Sequence, residues 1–157
     1  MAGTPTSAAT LLARLQADAT LASLLPGGLY DRDLKRTGPG ATPNAYAPSP
    51  PYQPRPAAVV VDDGDDDDLG GVAGGLRGYV SLWCYGPPTA NGMAAVADAL
   101  DRARWLLVGW RFATGNGCGA AVEQAGQRLG LRDDPVDDAR MVDRLRFVVS
   151  SYWPVPG

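Results

Sequence analysis

Between Gly78 and Val108 the apolar positions change period once, and that change locates a strand and a helix. Tyr79, Ser81, Trp83 and Tyr85 alternate with Val80, Leu82 and Cys84, the period of two that marks a strand. Apolar residues on both phases predict a central strand covered at least partly on both sides. Gly86-Pro87-Pro88 ends it, because proline has no N–H to give to a ladder. Thr89 is then placed to cap a helix. Met93, Val96, Ala97, Leu100, Ala103, Arg104 and Leu107 share one side of it, and Asp98, Asp101 and Arg102 the other. This is an amphipathic helix returning across the sheet. Asp98 and Arg102, four residues apart, are expected to pair along it.

The same reading extends to both ends. Ser7 to Leu25 is helical in character, with a Leu11, Leu12, Leu15 stripe. Asp18 restarts a short second helix carrying Leu21, Leu24 and Leu25, and Pro26-Gly27-Gly28 stops it. Leu29-Tyr30-Asp31 is a short extended piece. Ala57 to Val61 is a β-branched strand leading into Asp62-Asp63-Gly64-Asp65-Asp66-Asp67-Asp68 and a glycine-rich tract. With the strand from Gly78 it forms a hairpin with a long, mobile acidic tip. Trp110-Arg111-Phe112 reads as a short strand or a helix exit, and Thr114-Gly115-Asn116-Gly117 as a turn. Gly119 to Leu129 fits a helix period but is broken by glycines, so a strand fits equally. Arg132 to Asp138 is a polar loop. Asp143 to Trp153 is a strand, with Leu145, Phe147, Val149, Ser151 and Trp153 on one face and Arg144, Arg146, Val148, Ser150 and Tyr152 on the other. The Trp83 and Phe147 faces are expected to share one core.

Lys35 to Pro56 holds seven prolines and no hydrophobic period. It is an extended connection, either a flexible loop or an arm laid against a neighbouring subunit, with Tyr46 and Tyr52 as its anchors.

The whole predicts an α+β fold: a mostly antiparallel or mixed β-sheet with an N-terminal helix and one long central helix packed on it. At 157 residues a single domain over 1–157 is expected, with a Pro-rich extended loop at 35–56 and an acidic, Gly-rich loop at 62–78. The net charge is −3, from 14 basic and 17 acidic residues, which argues against a dedicated nucleic-acid binder. No histidine occurs, which removes histidine acid–base catalysis and histidine metal ligation. Cys84 reads as a core residue and Cys118 as a lone cysteine; a Cys84–Cys118 disulfide is the lesser alternative, since nothing else looks secreted. No apolar run approaches the roughly 18 residues of a membrane span, so no membrane partner is expected, and the chain reads as soluble and cytoplasmic in origin.

Chemistry is sparse. Gly-Gly-Val-Ala-Gly-Gly at 70–75 lacks the Lys-Ser/Thr of a phosphate loop, and Cys118 has no histidine partner. Asp133, Asp134, Asp137 and Asp138 sit in a loop expected to be exposed, with ordinary acidity. The Asp62–Asp68 run lacks the ligand alternation and distal Glu of an EF-hand. A solvated, self-repelling loop fits it better than a Ca²⁺ site, and it would blunt a sheet edge. No enzyme, cofactor or metal is implied. Arg144 and Arg146 point the same way on the last strand, toward solvent or toward an interface or lumen. The candidate lumen or subunit-interface residues are therefore Asp62, Asp63, Asp65, Asp66, Asp67, Asp68, Tyr46, Tyr52, Arg144 and Arg146.

The order of these pieces resembles the tail terminator (tail completion) proteins of long-tailed bacteriophages, the lambda-like neck proteins. Four stretches carry it. Leu11 to Asp18 with Leu24-Leu25-Pro26-Gly27-Gly28-Leu29-Tyr30 is similar to the family's opening helix, half-turn and short strand. Pro56 to Val61 takes the place of its first long strand. Tyr79 to Tyr85, followed by Ala94, Ala97, Asp98 and Leu100, is similar to its strand–helix centre. Arg144-Leu145-Arg146-Phe147-Val148-Val149 resembles its closing strand. The likeness covers nearly the whole chain by pattern, without a diagnostic motif. It implies a strand, rather than a helix, at 119–129. The Pro-rich insertion and the Asp run depart from the pattern. What the resemblance implies is a non-catalytic virion protein assembled in the host cytoplasm. It would be a homo-hexameric ring of the phage neck that ends the tail tube and joins it to the head connector. Its partners would be its own copies, the tube protein, the connector or stopper, and duplex DNA passing without specific binding. Another head-to-tail connector component, such as a stopper or head-closure protein, is the alternative, and a Ca²⁺-binding or interaction module a further one.

Overall fold

Asp18 divides the N-terminal helical stretch. Helix α1 (Ser7–Gln16) ends before it and α2 (Ala19–Leu24) begins after it, capped by the Asp18 carboxylate, which accepts the Leu21 N–H at 2.8 Å. The computed structural model describes residues 7–66, 76–115, 118–137 and 139–152. After α2 come β1 (Leu29–Tyr30), a 3-10 turn (Pro43–Ala45), β2 (Ala57–Asp66), β3 (Leu76–Gly86), α3 (Ala90–Leu107), β4 (Arg111–Gly115), β5 (Cys118–Gln124), β6 (Arg132–Asp133) and β7 (Met141–Tyr152). The strands form one sheet in the order β1-β2-β3-β7-β5-β4, with β6 also beside β7. Among the described residues only the β1–β2 pair is parallel; the others are antiparallel. This is the α+β fold the patterning predicts.

All three helices lie on one face of the sheet. There Val80, Leu82, Cys84, Leu145, Phe147 and Val149 pack against Leu11, Leu15, Leu21, Val96, Leu100 and Leu107, all of them buried. Thr89 caps α3, accepting the Gly92 N–H at 3.0 Å. The stretch at 119–129 is a strand as far as Gln124, burying Ala120 and Val122, so the strand reading holds there. Cys84 is a free, fully buried thiol, and burial together with the nearby Asp143 carboxylate pushes its pKa up.

Several expectations are corrected. Trp83 and Phe147 do not share a core. Phe147 stands opposite Val80 and Trp83 opposite Arg144 in the β3–β7 ladder, and directly opposed residues project to the same face. Trp83 therefore lies on the helix-free face. Asp98 does not hold Arg102: the Arg102 guanidinium forks onto the two Asp18 oxygens at 2.9 and 2.8 Å. The cap has already fixed that carboxylate in place, and two parallel bonds outcompete a flexible pair along one helix.

The acidic run is not a loop from Asp62. Strand β2 continues through Asp62, Asp63, Gly64, Asp65 and Asp66 and pairs with β3 on both sides of a bulge at Asp63. An unbroken neighbouring strand supplies ladder partners that outweigh the poor β-propensity of aspartate. Likewise 76–78 belongs to β3. Asp67 and Asp68 lie outside the described residues.

Candidate functional site

The sheet face opposite the helices carries alternating arginine and aromatic side chains, because β3 places Tyr79, Ser81, Trp83 and Tyr85 on it and β7 places Val142, Arg144, Arg146 and Val148 across from them. The Arg146 guanidinium lies 5.4 Å from the Tyr79 ring centroid, Arg144 5.2 Å from Trp83, and Arg140, just before β7, 4.3 Å from Tyr85. Each ring offers its negative face to a cation.

One end of this face is closed by the chain itself. The Pro-rich segment folds back onto it, and Ala45 and Tyr46 bury against Ala57 with Tyr30 and Leu34. Arg140 is the fastener. Its guanidinium pairs with Asp134, donates to the Tyr46 hydroxyl at 3.0 Å and lies over Tyr85. Burial, its largest cause, pushes the Tyr85 phenol up to about 12. Arg36 adds an ion pair to Asp137 at 3.0 Å. The segment is thus held to its own sheet. Tyr46, 5% exposed, is the expected anchor, whereas Tyr52 sits at the surface, 37% exposed. Asp134 corrects the expectation of an exposed polar loop: it is buried with Arg140, because β6 pairs with β7 and folds the loop back on the strand.

The other end stays open. Tyr79, Trp83, Arg144, Arg146, Val148 and Ser150 are all half-buried. Arg146 has a counterion: Asp63 accepts its Nε–H at 3.1 Å and also the buried Ser81 hydroxyl. Arg144 has none. It pairs with no carboxylate among the described residues, and its Nε is buried without a hydrogen-bond partner. Of the candidate residues, then, Asp63, Arg144 and Arg146 meet on one surface, with Tyr46 at its closed end. Asp62 is exposed on the helix side of β2. There it shares a shallow groove with Asp31, Ala8, Ala9, Leu12 and Ala13, and its carboxylate accepts the Gly64 N–H at 2.9 Å. For Asp65 and Asp66 only the strand backbone is described.

Sequence reasoning missed Arg140 and the buried Asp143. Asp143 accepts from Arg128 Nε and Nη2 at 3.0 and 2.6 Å and from the Gly130 N–H at 2.9 Å. A signal for it existed: Asp143 is in phase with Leu145 and Phe147, so alternation places it on the core face, where a carboxylate needs partners. Among the described residues no group of three or more Cys, Asp or Glu side chains is arranged to hold a metal ion, and no helix is long and apolar enough to cross a membrane.

No family model and no curated protein matches the chain. A solved structure does: a chain of the "Virion of native gene transfer agent (GTA) particle" superposes with a TM-score of 0.60 at 19% identity, over 90% of this chain and 90% of that chain. At that identity the likeness establishes a shared fold, over nearly the full length of both.

Proposed function

We propose that the chain is a structural protein of a phage-like virion and, within it, a ring-forming tail terminator of the neck. The observation that carries the reading is the end-to-end fold shared with a chain of a gene transfer agent virion, covering 90% of both. The β-sheet surface supports it, since an open face of arginines and aromatic rings has the composition that protein interfaces favour. On this reading, copies of the chain close into a ring, expected to be hexameric, on the last layer of the tail tube. The ring halts polymerisation and presents its other side to the head connector. Closed symmetry is how identical heterologous contacts avoid endless growth. The chain is a single non-catalytic domain over 1–157. The β2–β3 hairpin faces the DNA path, where carboxylates keep the duplex off the wall and basic groups would hold it.

Electron microscopy of the purified protein tests the ring: particles with a central hole are expected, and compact single subunits would overturn it. Deleting the gene tests the role: tails of irregular length that fail to join heads are expected. The alternative, a stopper or head-closure component, predicts tails of normal length that do not join. For a Ca²⁺ module the positions speak differently: Asp63 is already engaged by the Ser81 hydroxyl and the Arg146 guanidinium. Calorimetry is expected to give no heat with millimolar Ca²⁺ on the scale of extracellular modules.

A further inference from the structure

We propose that the open half of the arginine–aromatic face is the docking surface for a second copy of this chain, and that the acidic helix-side rim of that copy, with Asp62 and Asp31, supplies the missing counterion of Arg144. The proposal rests on the ring reading and specifies the contact within it.

The arginines of this face are unequally paired. Arg146 has Asp63 beside it and Arg140 has Asp134. Arg144, on the same face and between them in sequence, meets only the Trp83 ring. Arg144 is half-buried as a residue, its Nε is buried without an acceptor, and no described carboxylate reaches it. A cation partly removed from water without an acceptor is costly, and a carboxylate brought by a partner removes that cost with charge-assisted bonds. The partner surface is present on the same chain. Asp62 and Asp31 lie on the helix side of β2, both exposed and both lining one groove. The subunit thus carries an arginine without a counterion, Arg144, on one side of its sheet and two exposed carboxylates, Asp31 and Asp62, on the other.

Two different patches of opposite charge on one chain match head-to-tail, not face-to-face. Head-to-tail contacts generate rings when the rotation closes. A face-to-face pairing of two arginine faces would oppose like charges and is disfavoured. Trp83 and Tyr79, half-buried beside the arginines, provide the aromatic area that such a contact desolvates.

The test uses full-length Arg144→Asp and Asp62→Arg, with native mass spectrometry and sedimentation. Circular dichroism first establishes that each is folded, and Arg144→Glu replaces Arg144→Asp if that variant is not. The wild type is expected to form a closed oligomer that weakens as salt rises. Each charge reversal alone is expected to weaken self-association by about tenfold or more. The two variants mixed are expected to assemble again, in particles holding both in equal numbers, because each then meets the opposite charge. Arg144→Asp assembling like the wild type would overturn this contact and leave the ring standing. Two variants that stay apart on mixing would overturn the Arg144–Asp62 pairing. A wild type that stays monomeric at all concentrations would overturn the ring and the contact together.

Discussion

Trp83 stands directly across the β3–β7 ladder from Arg144, with the guanidinium 5.2 Å from the indole centroid, while Phe147 three residues further along β7 projects to the opposite face and is fully buried. Two large aromatic residues on neighbouring strands thus have different physical roles. Phe147→Ala opens a cavity in the helix–sheet core and is expected to cost about 3–5 kcal/mol. Trp83→Ala removes a half-buried ring and one cation–π contact and is expected to cost about 1–2 kcal/mol in the free subunit. Urea denaturation of both variants checks this; equal losses would place Trp83 in the core after all.

Arg140 joins Asp134, the Tyr46 hydroxyl and the Tyr85 ring at a buried point where the Pro-rich segment meets the sheet. Arg140→Ala leaves the Asp134 carboxylate buried without its cation, which is expected to cost about 3–5 kcal/mol. Tyr46→Phe removes one hydrogen bond and keeps the ring, at about 1 kcal/mol. Proteolysis within 31–56 should accelerate strongly in the first variant and little in the second. Unchanged cleavage in Arg140→Ala would show that Arg140 does not hold the segment.

Much of this architecture was legible because it rests on period and punctuation. The β3 strand, the Thr89 cap, α3 and the β7 alternation all follow from residues spaced at two or near four. So does the Asp18 restart between α1 and α2. What was not legible depended on long-range partners. Asp18 takes Arg102 across 84 positions and Asp63 takes Arg146 across 83, and no local spacing encodes either. The β2 extension through Asp62–Asp66 failed for a related reason: propensity describes a strand alone, whereas β3 provides its ladder. The alternation did place Trp83 and Phe147 each on a face; the β3–β7 register decided that the faces differ. Arg144 and Arg146 were recognisable as candidates, but which of them lacks a counterion depends on where Asp63 falls.

Gly92 lies in the first turn of α3, where alanine ordinarily gains about 1 kcal/mol over glycine. Here a Cβ would stand 2.2 Å from the Pro87 carbonyl oxygen. That oxygen is backbone, fixed in the turn that ends β3, and it accepts the Thr89 N–H at 2.8 Å. The clash outweighs the propensity, so Gly92→Ala is expected to lower the melting temperature. A variant more stable than the wild type would show that the Pro87–Thr89 turn yields.

The Asp18–Arg102 pair sets an acid dependence with a definite direction. In the folded chain the Arg102 guanidinium, and next the Leu21 N–H, hold the Asp18 carboxyl at about 2, below its ordinary value of 3.8. Between those values the unfolded chain binds a proton that the folded chain does not, so stability rises with pH across the window. The contribution is complete above about pH 4 and is lost as pH falls toward about 2. Asp18→Asn removes the charge at every pH and keeps the side chain's size. The gap in melting temperature between wild type and Asp18→Asn should therefore be widest near neutral pH and close as the solution is acidified, while the other carboxylates, common to both chains, cancel in the difference. A gap that stays constant down to about pH 2 would show that the carboxylate's charge contributes nothing and that the cap acts through its hydrogen bond alone.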